Sequence, residues 1–496
     1  MKKLLLPIFA LSCCALTSFA QQSTEPTVAE TYQMVYAGEE PMFWMDAHAD
    51  AYHSGNGTKE SPYMISTPEE LALLARHVHD CVNTKGVYYE LANDIDLNGK
   101  IWFPIGLRSD KMNVKVAFDG IFDGKNHRIY HLKTIELGDL MSMGLFGVTQ
   151  QHAEIRNVII GSGEVIGSQS VGAIVGKNVG LVENCINRAT VGCSMYHCGG
   201  IVGSNSRNDK LEQTSVIRHC INYGSIDAGL EWANGMAAGG IAGTNICTVE
   251  ECINYGDVRA SNGGAGGLVG YLEGGKVYNS FAICNVSVEQ DQMGGIVADL
   301  LGRSANCEIQ NCYFSGQLIT ETPEANQGGV AAFAMFPNAN TLLVKNCFYN
   351  KDLYTGSEFG KVQDVSGKFT FENNKGMTTA EMKADAFVAA LNKGFDKNVW
   401  MADSKQVNDG FPVLSFLEKM DTGIAQVESH DGCLVFAENG QIRVLGDVAD
   451  TEMVQVYTYA GVQAFAGVRA ELETKSFGQG LYVVVLGTTS YKVLVP

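Results

Sequence analysis

The chain has 496 residues and 46% of them are hydrophobic, so it can bury a large core and is not globally disordered. Its 54 acidic against 35 basic residues leave a net charge of −19, which argues against nucleic acid and anionic membrane surfaces, because phosphates demand clustered Lys and Arg. Glycine is abundant at 56 residues and proline scarce at 10, a balance that fits many tight turns between strands and excludes collagen or a Pro-rich linker protein.

Residues 1–20 read as a signal peptide. Lys2 and Lys3 precede an apolar run from Leu4 to Leu16, and Ser18-Phe19-Ala20 places small residues for cleavage after Ala20. The run is too short for a membrane span, which needs about 20 apolar residues, and no other stretch is long enough. The residues before Cys13 and Cys14, Ala10-Leu11-Ser12, match a lipid-attachment signal poorly. Cleavage would leave 33 basic against 54 acidic residues, a net charge of −21. A leader follows over 21–55. It carries Asp46, His48, Asp50 and His53, which offer metal-type donors, but the segment reads first as a solvated leader.

The region 56–147 opens the fold. Thr67 as N-cap, Pro68 at the first helical position and Glu70 as the third residue of a capping box start a helix. Leu71, Leu74, Ala75 and Val78 then form one apolar face. Asp94 with Asp96, and Asp119 with Asp123, are the nearest carboxylate pairs to an acid–base arrangement.

Residues 148–350 repeat. One unit is a Gly-Gly-aliphatic-aliphatic-Gly step, as in Gly199-Gly200-Ile201-Val202-Gly203, Gly239-Gly240-Ile241-Ala242-Gly243 and Gly266-Gly267-Leu268-Val269-Gly270. Counting back to Gly144, its second position falls at 144, 173, 200, 240, 267, 295 and 329. The other unit is aliphatic-x-x-Cys-apolar-Asn, as in Val182 to Asn187, Ile217 to Asn222 and Val249 to Asn254. Such short, Gly-marked units do not make helices. They suit stacked coils, where glycine would supply positive φ at corners and close backbone approach. Cys185, Cys220, Cys252, Cys312 and Cys347 share one repeat position, which predicts a ladder of buried, unpaired thiols. The rival expectation is disulfide pairing, for example of Cys193 with Cys198. Glu183 and Glu250 match one another, but Arg218 lies between them at the same position, so no carboxylate ladder follows.

The region 351–420 carries a second helix start, Thr378 with Glu381, followed by Ala384, Phe387 and Leu391, and reads as a cap at the far end of the coils. Residues 425–496 change character, with strand-like runs at 433–437, 441–445, 453–459, 480–486 and 491–495, and suggest a small β-sandwich.

Gly57 to Ile65, Glu69 to Ala75, Leu91 to Leu97 and Phe118 to Gly124 resemble the N-terminal region of GLUG-motif proteins of Bacteroidetes type. The Gly-Gly-Ile-Val-Gly steps resemble the GLUG repeat itself, and Met377 to Asn392 with Asn408 to Leu414 resembles the usual end of such arrays. The resemblance covers roughly residues 55–415. It implies an all-β fold, a right-handed parallel β-helix (a pectin-lyase-like solenoid) with short helical caps, on a secreted or surface protein. It implies no reaction. In one group the repeats accompany an immunoglobulin A metallopeptidase, but this sequence has no His-Glu-x-x-His, so that activity is not carried over. Val454 to Gly461 and Gly480 to Val485 resemble the C-terminal sorting domain of type IX secretion, although the chain ends at Pro496, where such tails usually end on a basic residue.

No catalytic, cofactor or metal residues are assigned, and calcium is not required. The expected function is binding or adhesion through one long face, to an extracellular glycan or a host surface protein, with Tyr196, Trp232 and Tyr271 as candidate ligand-face aromatics. The alternatives are a polysaccharide lyase or glycoside hydrolase of β-helix fold, and a structural spacer.

Overall fold

The computed structural model describes residues 42–496 except 110–113, 137–139, 208–214, 230–236, 323–324, 336–339, 364–367, 394–397, 406, 419–427, 431–432, 439–440, 446–448, 450, 459–462, 479, 488 and 496. The segment expected to be a signal peptide, with Cys13 and Cys14, and Trp232 lie outside the described residues.

Each coil turns through five short strands. One runs Glu154–Arg156, Ile159–Ile160, Gly163–Gly167, Ser170–Gly172 and Val175–Asn178, and the next begins at Leu181–Glu183. We call the five stacked sheets faces a to e in that order. Face a has eleven strands, face b ten, faces c and d seven each and face e eight, all parallel. The chain is therefore a parallel β-helix. The Cys unit builds faces a and b and the Gly step joins d to e. Face c, for example Thr190–Cys193, carries no repeated signature and was not visible as a strand in the sequence.

The repeat glycines do not have positive φ, contrary to the corner role expected of them. They are small because backbones meet. A Cβ on Gly199 would lie 2.0 Å from the Val202 carbonyl oxygen, and one on Gly243 would lie 2.5 Å from the Cys198 nitrogen. The left-handed corner belongs to the Cys unit instead. Asn157, Asn184, His219, Glu251, Asn279, Asn311, Asn346 and Asn373, all between faces a and b, have φ between 46° and 54°. Asparagine tolerates this conformation better than most residues. Where it repeats, its side chains also bond along the stack, as from Asn184 to Asn157 at 3.2 Å and from Asn346 to Asn311 at 3.0 Å.

Inside, the cysteines stand as expected. Cys185, Cys220, Cys252, Cys312 and Cys347 are buried free thiols, as are Cys193 and Cys198. Each ladder thiol donates to the carbonyl two residues back, for example Cys220 to Arg218 at 3.2 Å, closing the left-handed corner it follows. Two buried asparagine ladders run beside them. Asn187 donates to Asn222 at 2.8 Å and Asn222 to Asn254 at 2.7 Å, while Asn178 donates to Asn205 and Asn205 to Asn245. An unpaired buried amide would cost about 1–3 kcal/mol, so the ladders fix the register of consecutive coils.

The helix Pro68–His79 (α1) closes the first rungs with Leu71, Leu74, Ala75 and Val78 in the solenoid core. Thr67 caps it, but the Glu70 carboxylate accepts from Ser66 N at 2.5 Å rather than completing the expected box. Helices Thr379–Met382 (α2) and Asp385–Leu391 (α3) begin a segment that runs back along the outside of face b. Thr378 and Glu381 form the expected capping box. Phe387 packs on Phe348 and Tyr313, Trp400 on Phe281 and Tyr313, and Phe416 stacks on His219. The Asn408-Asp409-Gly410 turn is held by Asp403, whose carboxylate accepts from the backbone of Val407, Asn408 and Gly410. The Asn408 side chain then donates to the Tyr313 hydroxyl at 3.0 Å.

Residues 428–495 form a three-stranded and a four-stranded antiparallel sheet over one core that includes Val435, Val444, Val454, Val484 and Val493. The helix Arg469–Leu472 (α4) adds Leu472 to that core. The sequence pattern missed the strands Glu428–His430 and Gln463–Val468 of this unit.

Candidate functional site at the corner of faces d and e

Most outward positions of the coils are committed to the scaffold. On face a, Asp123, Arg156, Glu183, Arg218 and Glu250 stand in register and alternate in sign. Glu183 takes Arg218 at 2.6 Å and Arg156 at 3.5 Å. Face b is covered by the segment just described. The carboxylates considered for acid–base work are committed as well. Asp94 accepts from Arg128 N and His127, Asp96 from His131 at 2.7 Å, Asp119 from His152, and Asp123 from Lys125 N and Asn157. Each fixes a turn or joins neighbouring rungs.

Asp46, His48, Asp50 and His53 do not assemble. His48 bonds the Ala49 carbonyl, and among the described residues no three His, Cys, Asp or Glu side chains converge as a metal site.

Faces d and e meet at a closely packed corner. A Cβ built on Gly264 of face d would lie 3.0 Å from the Tyr271 ring and 3.6 Å from the Asp299 carboxyl carbon, both on face e. The wall formed by face e is one outward column of the ladder: Lys177, Ser204, Thr244, Tyr271, Asp299, Phe333 and Lys361 on successive rungs. Nothing in the coil geometry requires a particular residue here, and the chemistry changes at every rung.

Two polar groups in this column stand out. Asp299 is only 5% exposed and its Oδ1 has no hydrogen-bond partner, and Thr244, 2% exposed, likewise leaves its Oγ1 unpartnered. Burial, followed by the nearby charge of Asp291 and against that of Arg303, pushes the Asp299 carboxyl up to about 7. Tyr271 lies between them, partly exposed, with its hydroxyl bonded to the Gly264 backbone. Burial first, then Asp299 and Asp291, holds this phenol well above its usual range, so it is a neutral ring.

Of the aromatics singled out in the sequence, Tyr271 is therefore in this corner. Tyr196 is exposed on the turn before face d, two rungs earlier, with its ring 6.1 Å from that of His197. Sequence reasoning missed Thr244, Asp299 and Phe333. The signal was present: each is the residue that directly follows a Gly-step.

The fold is that of the parallel β-helices. No family model matches the chain. It is 29% identical over 175 residues, 34% of its length, to Halomucin of Haloquadratum walsbyi, and that match covers 2% of Halomucin. It is 30% identical over 148 residues, 28% of its length, to the "Putative Gly-rich membrane protein" of Evansella cellulosilytica, 16% of which is covered. The chain thus spans a small part of these curated relatives. Among solved structures, a "putative immunoglobulin A1 protease" from Bacteroides ovatus aligns with 74% of this chain and 95% of its own, at 21% identity and a TM-score of 0.46. Among the described residues no helix is long and apolar enough to cross a membrane.

Proposed function

We propose that this chain is a secreted or cell-surface protein that binds an extracellular glycan or host surface protein through the outer side of its β-helix, without turning it over. The observation that carries this reading is the outward column of face e. Its exposed and partly exposed members, Lys177, Tyr271, Phe333 and Lys361, change chemistry along the stack, as a recognition surface requires. Relatives named Halomucin and Gly-rich membrane protein fit an extracellular setting. The signal peptide and Tyr196, Trp232 and Tyr271 as ligand-face aromatics belong to the same reading. So do GLUG-type repeats and a C-terminal sorting module of the type IX kind. The purified chain should be retained on a glycan array, on immobilised mucin or on host surface protein. Retention on none of these, together with normal attachment by cells that lack the protein, rejects the reading.

One observation favours a second reading. A carboxyl near 7, as burial gives Asp299, is what a general acid in glycosidic cleavage needs, and Asp291 supplies a second carboxylate in its neighbourhood. A hydrolase or lyase would release reducing or unsaturated sugar ends from polysaccharide, and Asp299→Asn would stop it. An absence of turnover across a broad panel removes this alternative.

A further inference from the structure

We propose that the far end of the solenoid docks on the same end of a second copy of this chain, about a twofold axis beside Thr370. The last rung consists of Phe359–Gln363 on face e, Phe369–Glu372 on face a and Lys375–Met377 on face b. Faces e and a stop there, and among the described residues nothing pairs with their outer edges. The core stops uncovered as well. Val362 continues the inward column of Leu272, Leu300 and Ala334, and Phe371 continues that of Val277, Ile309 and Val344. Those earlier residues are at most 1% exposed, whereas Val362 is 38% and Phe371 39% exposed. The rings of Phe359 and Phe371, 4.4 Å apart, lie together with Phe369 across this mouth. The helices expected to cap it, α2 and α3, turn back along face b instead. At the opposite end α1 seats its apolar side in the core. Head-to-tail stacking of copies is thereby blocked, and the two ends left to meet are both far ends.

The sequence of the open edge selects the occupant. Lys368-Phe369-Thr370-Phe371-Glu372 alternates, with its phenylalanines inward and its charges outward. Antiparallel pairing of this strand with itself about Thr370 sets each Phe369 against Phe371 of the second copy, and each Lys368 against Glu372 of the second copy. Both are favourable cross-strand pairs. Lysine on an exposed edge ordinarily repels another strand, but the twofold makes it half of an ion pair. The pairing also extends the sign alternation of face a. Lys345 and Glu372 are successive in one column, 2.9 Å apart, and Lys368 of the second copy comes next. The C-terminal sheets offer no such match, because among their described residues Met453 is the one large apolar side chain that is exposed. An end of roughly 20 by 25 Å, set by strand rise and sheet spacing, buries about 1,000 Å² between two copies, near the lower limit of specific interfaces. This contact goes beyond the binding reading above and does not depend on it.

Sedimentation velocity of the purified full chain between about 1 and 100 μM should show a monomer–dimer equilibrium. Lys368→Glu and Glu372→Lys each set like charges against each other on both sides of the axis, and each should weaken the dimer about tenfold. Mixed in equal amounts, the two variants should form a heterodimer as tight as the wild-type dimer, since each supplies the charge the other lacks. A general loss of folding could not produce that rescue. Thr370→Cys should give a disulfide-linked dimer under a mild oxidant, because residues facing each other across antiparallel strands lie about 4.5–5.5 Å apart, within disulfide reach. Thr248→Cys, in the same outward column at mid-solenoid, should not. A monomer throughout that concentration range overturns the proposal. So does a dimer that neither charge variant weakens, or one that Thr370→Cys does not cross-link. Amide protection of 359–363 and 369–372 that is equal in dilute and concentrated samples overturns it in favour of a cover supplied by the chain itself.

Discussion

At Asp299 and His79, burial pulls two ionisable side chains in opposite directions along the pH axis. Asp299 ionises near 7 in the folded chain, because burial and then the Asp291 charge oppose its ionisation while Arg303 favours it. The unfolded group ionises near 4, so between those values the native state holds a proton that the unfolded state has lost. Its contribution to stability therefore falls as pH rises from about 4 to about 7. His79 does the reverse. Burial lowers it to about 4, against the carbonyl of Pro104 that bonds its Nε2 and the charge of Asp80, with Arg76 adding to the lowering. Between about 4 and 6.5 the unfolded state binds the extra proton, so stability is lost as pH falls. Asp299→Asn should therefore gain on the wild type as pH rises from 5 to 8, by up to about 3 kcal/mol. Melting curves of both proteins at pH 5 and pH 8 measure the gap, and a constant gap would show that Asp299 ionises normally.

The ladder thiols make a second residue-scale prediction. Burial pushes Cys185, Cys220 and Cys312 well above the usual thiol range; a neighbouring thiol adds to this at Cys185 and Cys312, while at Cys220 the bond with Cys185 opposes it and Cys252 adds to it. A thiol so placed is a poor nucleophile. Mass spectrometry after iodoacetamide should find Cys185, Cys193, Cys198, Cys220, Cys252, Cys312 and Cys347 unmodified in the native chain. All seven should be carbamidomethylated after denaturation without reductant. A Cys193–Cys198 disulfide, or fewer than five modified ladder cysteines, would restore the disulfide alternative.

At the scale of elements, the two repeat units lock into each other. A Cβ on Gly200 would lie 2.4 Å from the Asn222 amide carbon, and one on Gly240 would lie 2.2 Å from that of Asn254. The Gly-step thus leaves the space that the asparagine ladder fills. Gly240→Ala should cost about 2–4 kcal/mol through overpacking, and Asn254→Ala a similar amount through lost ladder bonds. The double variant should be less unstable than the sum, by about 1 kcal/mol, since the alanine at 254 removes one clash. The contact with the Gly267 carbonyl at 2.3 Å remains, so rescue is partial. Additive urea-denaturation energies would refute the coupling. This interlock also explains what could be read in advance. The Gly-step and the Cys unit recur because the backbones they serve touch at every rung, so faces a, b, d and e left a signature. Face c, for example Ile226–Ala228 and Val286–Val288, meets no such constraint and left none. The candidate site is legible in the same indirect way. Tyr271 drew notice as an aromatic residue. Asp299 and Phe333 acquire meaning only when the residues after successive Gly-steps are stacked into one column, which takes the rung register.

For the whole molecule, a solenoid is held chiefly by neighbouring rungs, so its stability is close to a sum of local terms and its ends can fray alone. The segment beyond α2 breaks that rule. It touches Phe348 through Phe387, Tyr313 through Phe387, Trp400, Phe411 and Asn408, Phe281 through Trp400, and Tyr255 through Asn408. It ends with Phe416 on His219, beside the rung of Ile221. One strip of chain therefore ties five successive rungs of face b together, and one rung cannot open without losing contacts that others share. Trp400 is almost fully buried at the middle of the strip, and its removal should cost about 3–5 kcal/mol. Trp400→Ala should therefore do more than lower the melting temperature. It should divide unfolding into two steps, with the rungs between Ile253 and Glu372 exchanging their amide hydrogens before those between Ile155 and Asn222. An equally large loss of stability placed before the tied rungs, such as Phe122→Ala, should leave those later rungs exchanging together. If both variants unfold in a single step with uniform exchange, the strip is only a cover, and the rungs are coupled by stacking alone.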